Sequence, residues 1–283
     1  MRLGVSLSSV INFDKGFPFS PELHLPLLER SAIEAVEMGP PTEKEALEWL
    51  EWVGQFFQGS RLRLWSLHGP AKHELFSSLD EEARCQAMEK ARRTIEIVGR
   101  LGAHIVVLHA SDEPIPKHER SKRMAQAKEG LRELVPVARR CNVTLALELL
   151  PRTCLGNSVS ELEALLEGLP QERIGVCLDT NHVKDASSLP DAIRELGRRL
   201  ITLHISDFDG MDERHWLPGE GVINWPAVWR ALENIGYDGP WLYESGAVYD
   251  DPEANVRLIE ENFRRLAGDC QSPVTKHSQT NSF

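Results

Sequence analysis

Six residues of metal-ligating type each stand as the first strongly polar side chain after a short apolar run. They are His68 in "SLHGP", His109 in "VLHAS", Glu148 in "ALELL", Asp179 in "CLDTN", His204 in "TLHIS" and Glu244 in "LYESG". Alone, each is explained as a hydrogen-bonded structural residue or a helix cap. Six in register need a shared cause. An imidazole in a buried run is costly without a partner. Three imidazoles and three carboxylates in one small cavity would repel or desolvate one another. A divalent cation resolves this, because carboxylates supply charge and neutral imidazoles supply nitrogen donors. His204, in "ITLHISDFDG", is then expected to be a metal ligand. His182, three residues after Asp179 in "DTNH", is placed to reach the same cavity. Glu213, Arg214 and His215 in "DERHWLPGEG" (212–221) form a further candidate group.

The elements that would carry these residues are short β-branched runs alternating with longer amphipathic ones. Strands are expected at 3–7, 33–38, 62–68, 104–109, 143–149, 174–179, 200–206 and 241–245. Helix signals lie between them. Thr42 and Glu45 have capping-box spacing, as do Ser160 and Glu163. Gly102 suits a helix stop, and Pro226 suits a first turn. Eight strands each followed by a helix predict an α/β fold of one domain, a (β/α)8 barrel (TIM barrel), whose strand C-terminal ends converge on one mouth. The alternative, a doubly wound open sheet, is disfavoured because the first turn "LSSVINFDKG" lacks a GxGxxG fingerprint. The barrel is expected over 1–267. The polar, patternless residues 268–283 are expected to be a disordered tail.

The chain has 283 residues, 41% hydrophobic and 27% charged, with a formal net charge of -11. That balance argues against a broad basic surface for nucleic acid or lipid, although bound divalent ions would offset part of it. Five cysteines without CxxC pairing fit reduced thiols. Without a leader-like segment or a long apolar run, the expectation is a soluble, cytoplasmic protein with no membrane partner.

"LALELLPRTCLGNSVSELEALL", "RIGVCLDTNH", "ITLHISDFDGMDERHWLPGEGVINW" and "GYDGPWLYES" together resemble the xylose isomerase-like barrel superfamily. That superfamily holds sugar-phosphate isomerases and epimerases and the endonuclease IV-like nucleases of AP endonuclease family 2. The resemblance implies that Glu148, Asp179, His204 and Glu244 bind a single metal, with Glu148 and Glu244 also acting as acid and base. It implies substrate contacts from His182 and Arg214, and with one cation His68 and His109 are expected to line the substrate too. The nuclease branch uses three zinc ions. Its extra ligands match His68, His109, His182 and His215, with Glu213 standing where that branch has Asp.

The activity expected is divalent-metal-dependent isomerisation or epimerisation of a sugar or sugar phosphate through an ene-diolate. The alternatives are an apurinic-site phosphodiesterase with two or three zinc ions, a related sugar or inositol-derivative dehydratase, and a non-enzymatic scaffold. The scaffold would have lost some of the four core ligands, and all four are present. The loops "GPPTEKE" and "GPAKHELFSSLDEE" carry two lysines and no arginine, which offers little to a duplex. Two Glu, one Asp and one His suit Mn2+, Mg2+ or Co2+, and the extra histidines favour Zn2+ at a second position. The expected partner is a small sugar, with self-association into a homo-oligomer left open. Phe13, Phe17, Phe19, Trp216 and Trp225 are read either as walls of the pocket or as packing.

Overall fold

The computed structural model describes residues 1–39, 46–69 and 76–271, leaving out the side chains of 46–48 and 271. The Thr42–Glu45 capping box and much of the two loops at 40–45 and 70–75 lie outside the described residues. Among those described, eight strands alternate with eight α-helices. The strands are β1 (Arg2–Ser6), β2 (Ala35–Met38), β3 (Arg63–His68), β4 (Ile105–Leu108), β5 (Thr144–Glu148), β6 (Ile174–Asp179), β7 (Leu200–His204) and β8 (Pro240–Tyr243). The helices are α1 (Pro21–Glu29), α2 (Ala46–Gly59), α3 (Glu81–Leu101), α4 (Arg120–Cys141), α5 (Val159–Leu166), α6 (Leu189–Leu196), α7 (Trp225–Ile235) and α8 (Pro252–Gln271).

The strands form one parallel sheet in the order β7-β6-β5-β4-β3-β2-β1-β8. A bridge between Ile205 and Tyr243 joins its two edges. Ile205 N donates to Leu242 O at 2.8 Å, and Glu244 N donates to Ile205 O at 3.0 Å. This is a single-domain (β/α)8 barrel. Strands buried on both faces read as near-continuous apolar runs, and the six residues of β6, "IGVCLD", are all buried.

Two irregularities in register aim the site. Val36 pairs with Leu64 and Glu37 with Ser66, so Trp65 has no partner in β2. Val176 pairs with Leu200 and Cys177 with Thr202, which leaves Ile201 unpaired in the same way. Trp65 and Ile201 both pack on the inner cluster of Ile105, Val107, Ala146 and Cys177. Trp65 Nε1 donates to Thr202 Oγ1 at 3.0 Å across the barrel. Bulges of this kind re-aim side chains at barrel rims. Here they supply a plug for the barrel interior from the same two strands that carry His68 and His204.

Local signals explain most element ends. Gly102 takes the left-handed conformation expected of a helix stop, at φ 74°. Pro226 sits in the first turn of α7, behind the Asn224 cap. One reading is corrected: α5 is capped by Ser158, whose side chain accepts from Glu161 N, and not by Ser160. The last helix runs to Gln271, past the boundary expected at residue 267, and 272–283 lie outside the described residues. No helix among the described residues is long and apolar enough to cross a membrane.

Candidate metal centre

Four of the candidate residues are the last of their strands: His68 of β3, Glu148 of β5, Asp179 of β6 and His204 of β7. Glu244 follows β8 directly. Glu148, Asp179 and His204 are buried, and Glu244 is partly so. Each of the four offers one ligand atom, and these atoms all lie within 4.8 Å of one another. His204 Nδ1 is 2.8 Å from Glu244 Oε2 and 3.4 Å from Glu148 Oε1.

A second layer surrounds this core. Glu148 Oε2 faces His109 Nε2 at 2.9 Å and His68 Nε2 at 3.3 Å. His182 Nδ1 lies 3.4 Å from Asp179 Oδ2 and 3.5 Å from Glu148 Oε1. Farther out, Glu213 Oε2 is 3.8 Å from His182 Nε2 and 4.0 Å from His215 Nε2. His68, His109 and Glu148 form one group with metal-ligand spacing, and His182, Glu213 and His215 form another.

Hydrogen bonds to the backbone assign the imidazole tautomers. His68 Nδ1 donates to Gly69 O at 2.9 Å, His182 Nδ1 to Leu149 O at 2.9 Å, and His215 Nδ1 to Glu244 O at 3.2 Å. Each neutral ring then turns a bare Nε2 inward, and for His68 that nitrogen faces a carboxylate oxygen. Two lone pairs at such distances need a proton or a cation between them. Asp179 Oδ2 is buried without a hydrogen-bond partner. A crowd of buried carboxylates, an orphaned oxygen and inward-facing nitrogens is a donor set that fits a divalent ion.

The electrostatics agree. Burial pushes the Asp179 carboxyl up to about 6. Burial opposes charge on the His68 ring, but the hydrogen bond and charge of Glu148 outweigh it and raise the ring to about 9. Burial likewise raises Glu244, yet the charge and hydrogen bond of His204 hold it down at about 2. Without a metal the cavity compensates its carboxylates by protonating imidazoles.

A cleft of about 520 Å3 opens above this core, with Phe13, His68, His109, Glu148, His182 and Glu244 in its wall. Phe17 is exposed, whereas Phe19 packs on His24 and Trp49. Trp216 is exposed, and Trp225 is core. Arg214 lines the cleft, but its Nε pairs with Asp209 Oδ2 at 2.7 Å.

Two residues absent from the sequence reading belong here. Glu37, in β2, is fully buried, and its Oε1 is 3.0 Å from His204 Nε2. Its signal was a carboxylate inside an otherwise apolar parallel strand. Arg152 binds Glu113, Asp212 and Glu213, so it ties three loops together and neutralises Glu213. Its pairing depends on loops far apart in sequence and left no local trace.

In the loop after β7, Asp207 is buried and accepts from Gly219 N at 2.8 Å, Ile223 N at 3.2 Å and Trp225 Nε1 at 2.9 Å. A Cβ on Gly221 would fall 2.1 Å from Phe208 O and 2.4 Å from Asp207 Oδ1. The "GEG" stretch is therefore glycine at 221 because the loop wraps the Asp207 carboxylate.

The chain is similar to several other proteins in sequence and in fold. A D-psicose 3-epimerase of Enterocloster bolteae is 27% identical over 220 residues, covering 73% of this chain and 70% of the relative. A probable endonuclease 4 of Acholeplasma laidlawii is 26% identical over 204 residues, covering 64% and 68%. Among solved structures, the IOLI protein with a binding zinc atom superposes with a TM-score of 0.79 at 18% identity, covering 96% of this chain and 100% of that one. Residues 26–267 match the family model described as xylose isomerase-like TIM barrel. With its barrel topology and that match, the chain belongs to the xylose isomerase-like TIM barrel family.

Proposed function

We propose that the protein is a divalent-metal-dependent isomerase or epimerase of a sugar or sugar phosphate. The observation that carries this reading is the convergence of Glu148, Asp179, His204 and Glu244, whose ligand atoms lie within 4.8 Å of one another. The similarity to a D-psicose 3-epimerase and the zinc held by a protein of the same fold support it.

Glu148, Asp179, His204 and Glu244 would hold the ion. The ion, when bound, offsets negative charge developing on a substrate carbonyl oxygen and its neighbouring hydroxyl. Glu244 keeps Oε2 toward His204, which leaves Oε1 for proton transfer. Glu148 turns Oε2 toward His109 and His68, two imidazoles that reach the cleft and can pass a proton onward. With the sugar between them, one glutamate removes the proton beside the carbonyl and the other returns one through an ene-diolate. His182 orients hydroxyls from the wall, and Phe13 helps exclude water. Mn2+, Mg2+, Co2+ and Zn2+ all suit the four-residue set. A sugar dehydratase would begin with the same proton abstraction.

The second reading, an apurinic-site phosphodiesterase, is favoured by the two outer groups with metal-ligand spacing and by the similarity to endonuclease 4. The Arg152 guanidinium on Glu213 weighs against a full set of three ions. An assay of the Mn2+-loaded protein in D2O, on ketoses, ketose phosphates and an abasic-site duplex, tests the choice. Deuterium uptake beside the carbonyl with epimer formation is expected. Strand cleavage without ketose exchange would overturn the proposal.

A further inference from the structure

We propose that Glu37 is a positioning residue that fixes the ring of His204 and thereby sets the affinity of the barrel mouth for its cation. The inference rests on the metal reading above. Glu37 and His204 are each 0% exposed. A carboxylate so deep is costly unless it is paired. Ser66 Oγ donates to Glu37 Oε2 at 2.7 Å, and the bulge at Trp65 brings Ser66 opposite Glu37. The other oxygen, Oε1, lies 3.0 Å from His204 Nε2. The ring N–H is out of line with Oε1, so the pair is a close electrostatic contact, and neither atom has an aligned partner elsewhere.

His204 is set apart from its neighbours. His68, His182 and His215 each anchor Nδ1 on a backbone carbonyl and turn Nε2 inward. His204 is reversed: Nδ1 faces Glu244 and Glu148, and Nε2 faces Glu37. The Cys177 thiol is the neighbouring competitor. Its Sγ lies within 4.8 Å of a His204 ring nitrogen, and a thiol is a weaker acceptor than a carboxylate. A carboxylate at Nε2 favours the Nε2–H tautomer, leaves Nδ1 bare and makes the ring a stronger donor. Such partners of ligating histidines typically govern metal affinity 10–100-fold. The opposite tautomer would aim a proton at Glu244 Oε2 and remove His204 from the donor set.

The test is the Mn2+ and Zn2+ dissociation constants of the parent, Glu37→Gln, Glu37→Leu and Ser66→Ala, from chelator competition, with thermal melting of the metal-free proteins. Glu37→Leu is expected to weaken binding ~10–100-fold while the metal-free melting point stays near the parent's. Glu37→Gln should recover part of the loss, because its amide oxygen restores an acceptor. Parent-like affinity in Glu37→Leu overturns the inference. If that variant does not fold, parent-like affinity in both Glu37→Gln and Ser66→Ala overturns it. A parent protein that binds neither ion overturns the metal reading itself, a separate outcome.

Discussion

The two oxygens of Glu148 serve different sides of the cavity: Oε2 lies 2.9 Å from His109 Nε2, while Oε1 lies 3.4 Å from His204 Nδ1. One carboxylate thus joins the core donor set to the imidazoles at the cleft. Replacing Glu148 or Glu244 with Gln keeps size but removes a charge and a proton acceptor. Each substitution is expected to lower kcat by at least ~10²–10⁴-fold, measured by ketose interconversion. An active Gln variant at either position would remove that residue from acid–base chemistry.

The loop after β7 is predicted to be a stability element. Asp207→Ala would strand several buried donors, including the Trp225 indole, at about 3 kcal/mol or more. Gly221→Ala should destabilise as well, because the added Cβ has no room. Chemical denaturation reads both effects, and parent-like midpoints would contradict the packing described.

The barrel and most of its mouth were legible in the sequence, for a physical reason. A parallel strand buried on both faces shows as an apolar run, so the polar residue that ends it stands out, as His68, Asp179 and Glu244 do. Glu37 is penultimate in β2, with Met38 after it, so it breaks the run instead of ending it. Arg152 and Asp207 act through partners set by loop packing. The bulges at Trp65 and Ile201 depend on register between strands, which single-strand periodicity does not report.

The metal-free protein is expected to lose stability as pH rises. Asp179 titrates near 6 in the native state against 3.8, and His68 near 9 against 6.5. A raised native pKa means that the folded state holds its proton more tightly than the unfolded chain. Each contribution is full below the unfolded value and is lost as pH climbs through the native one. Glu244, held near 2 against 4.5, acts oppositely: its contribution is present above 4.5 and lost as pH falls through 2. Melting temperatures of chelator-treated protein should therefore fall between pH 6 and pH 9, and saturating Mn2+ should flatten the slope. A melting point that rises over that range would contradict the assignment.

Arg152 is predicted to suppress binding of a second ion. Its guanidinium bonds Glu213, the carboxylate between His182 and His215. Arg152→Met should strengthen Zn2+ binding at this outer group by about tenfold or more, or ~1.4 kcal/mol, read by calorimetry as a second binding step. An unchanged isotherm would show that the guanidinium does not compete there.

One divalent ion shared by Glu148, Asp179, His204 and Glu244 is expected in the barrel mouth. Equilibrium dialysis with elemental analysis of the parent protein and Asp179→Ala tests it most directly. One tightly held equivalent per chain is expected in the parent, and its loss in the folded variant. A parent that holds none, or a variant that holds as much as the parent, would contradict it.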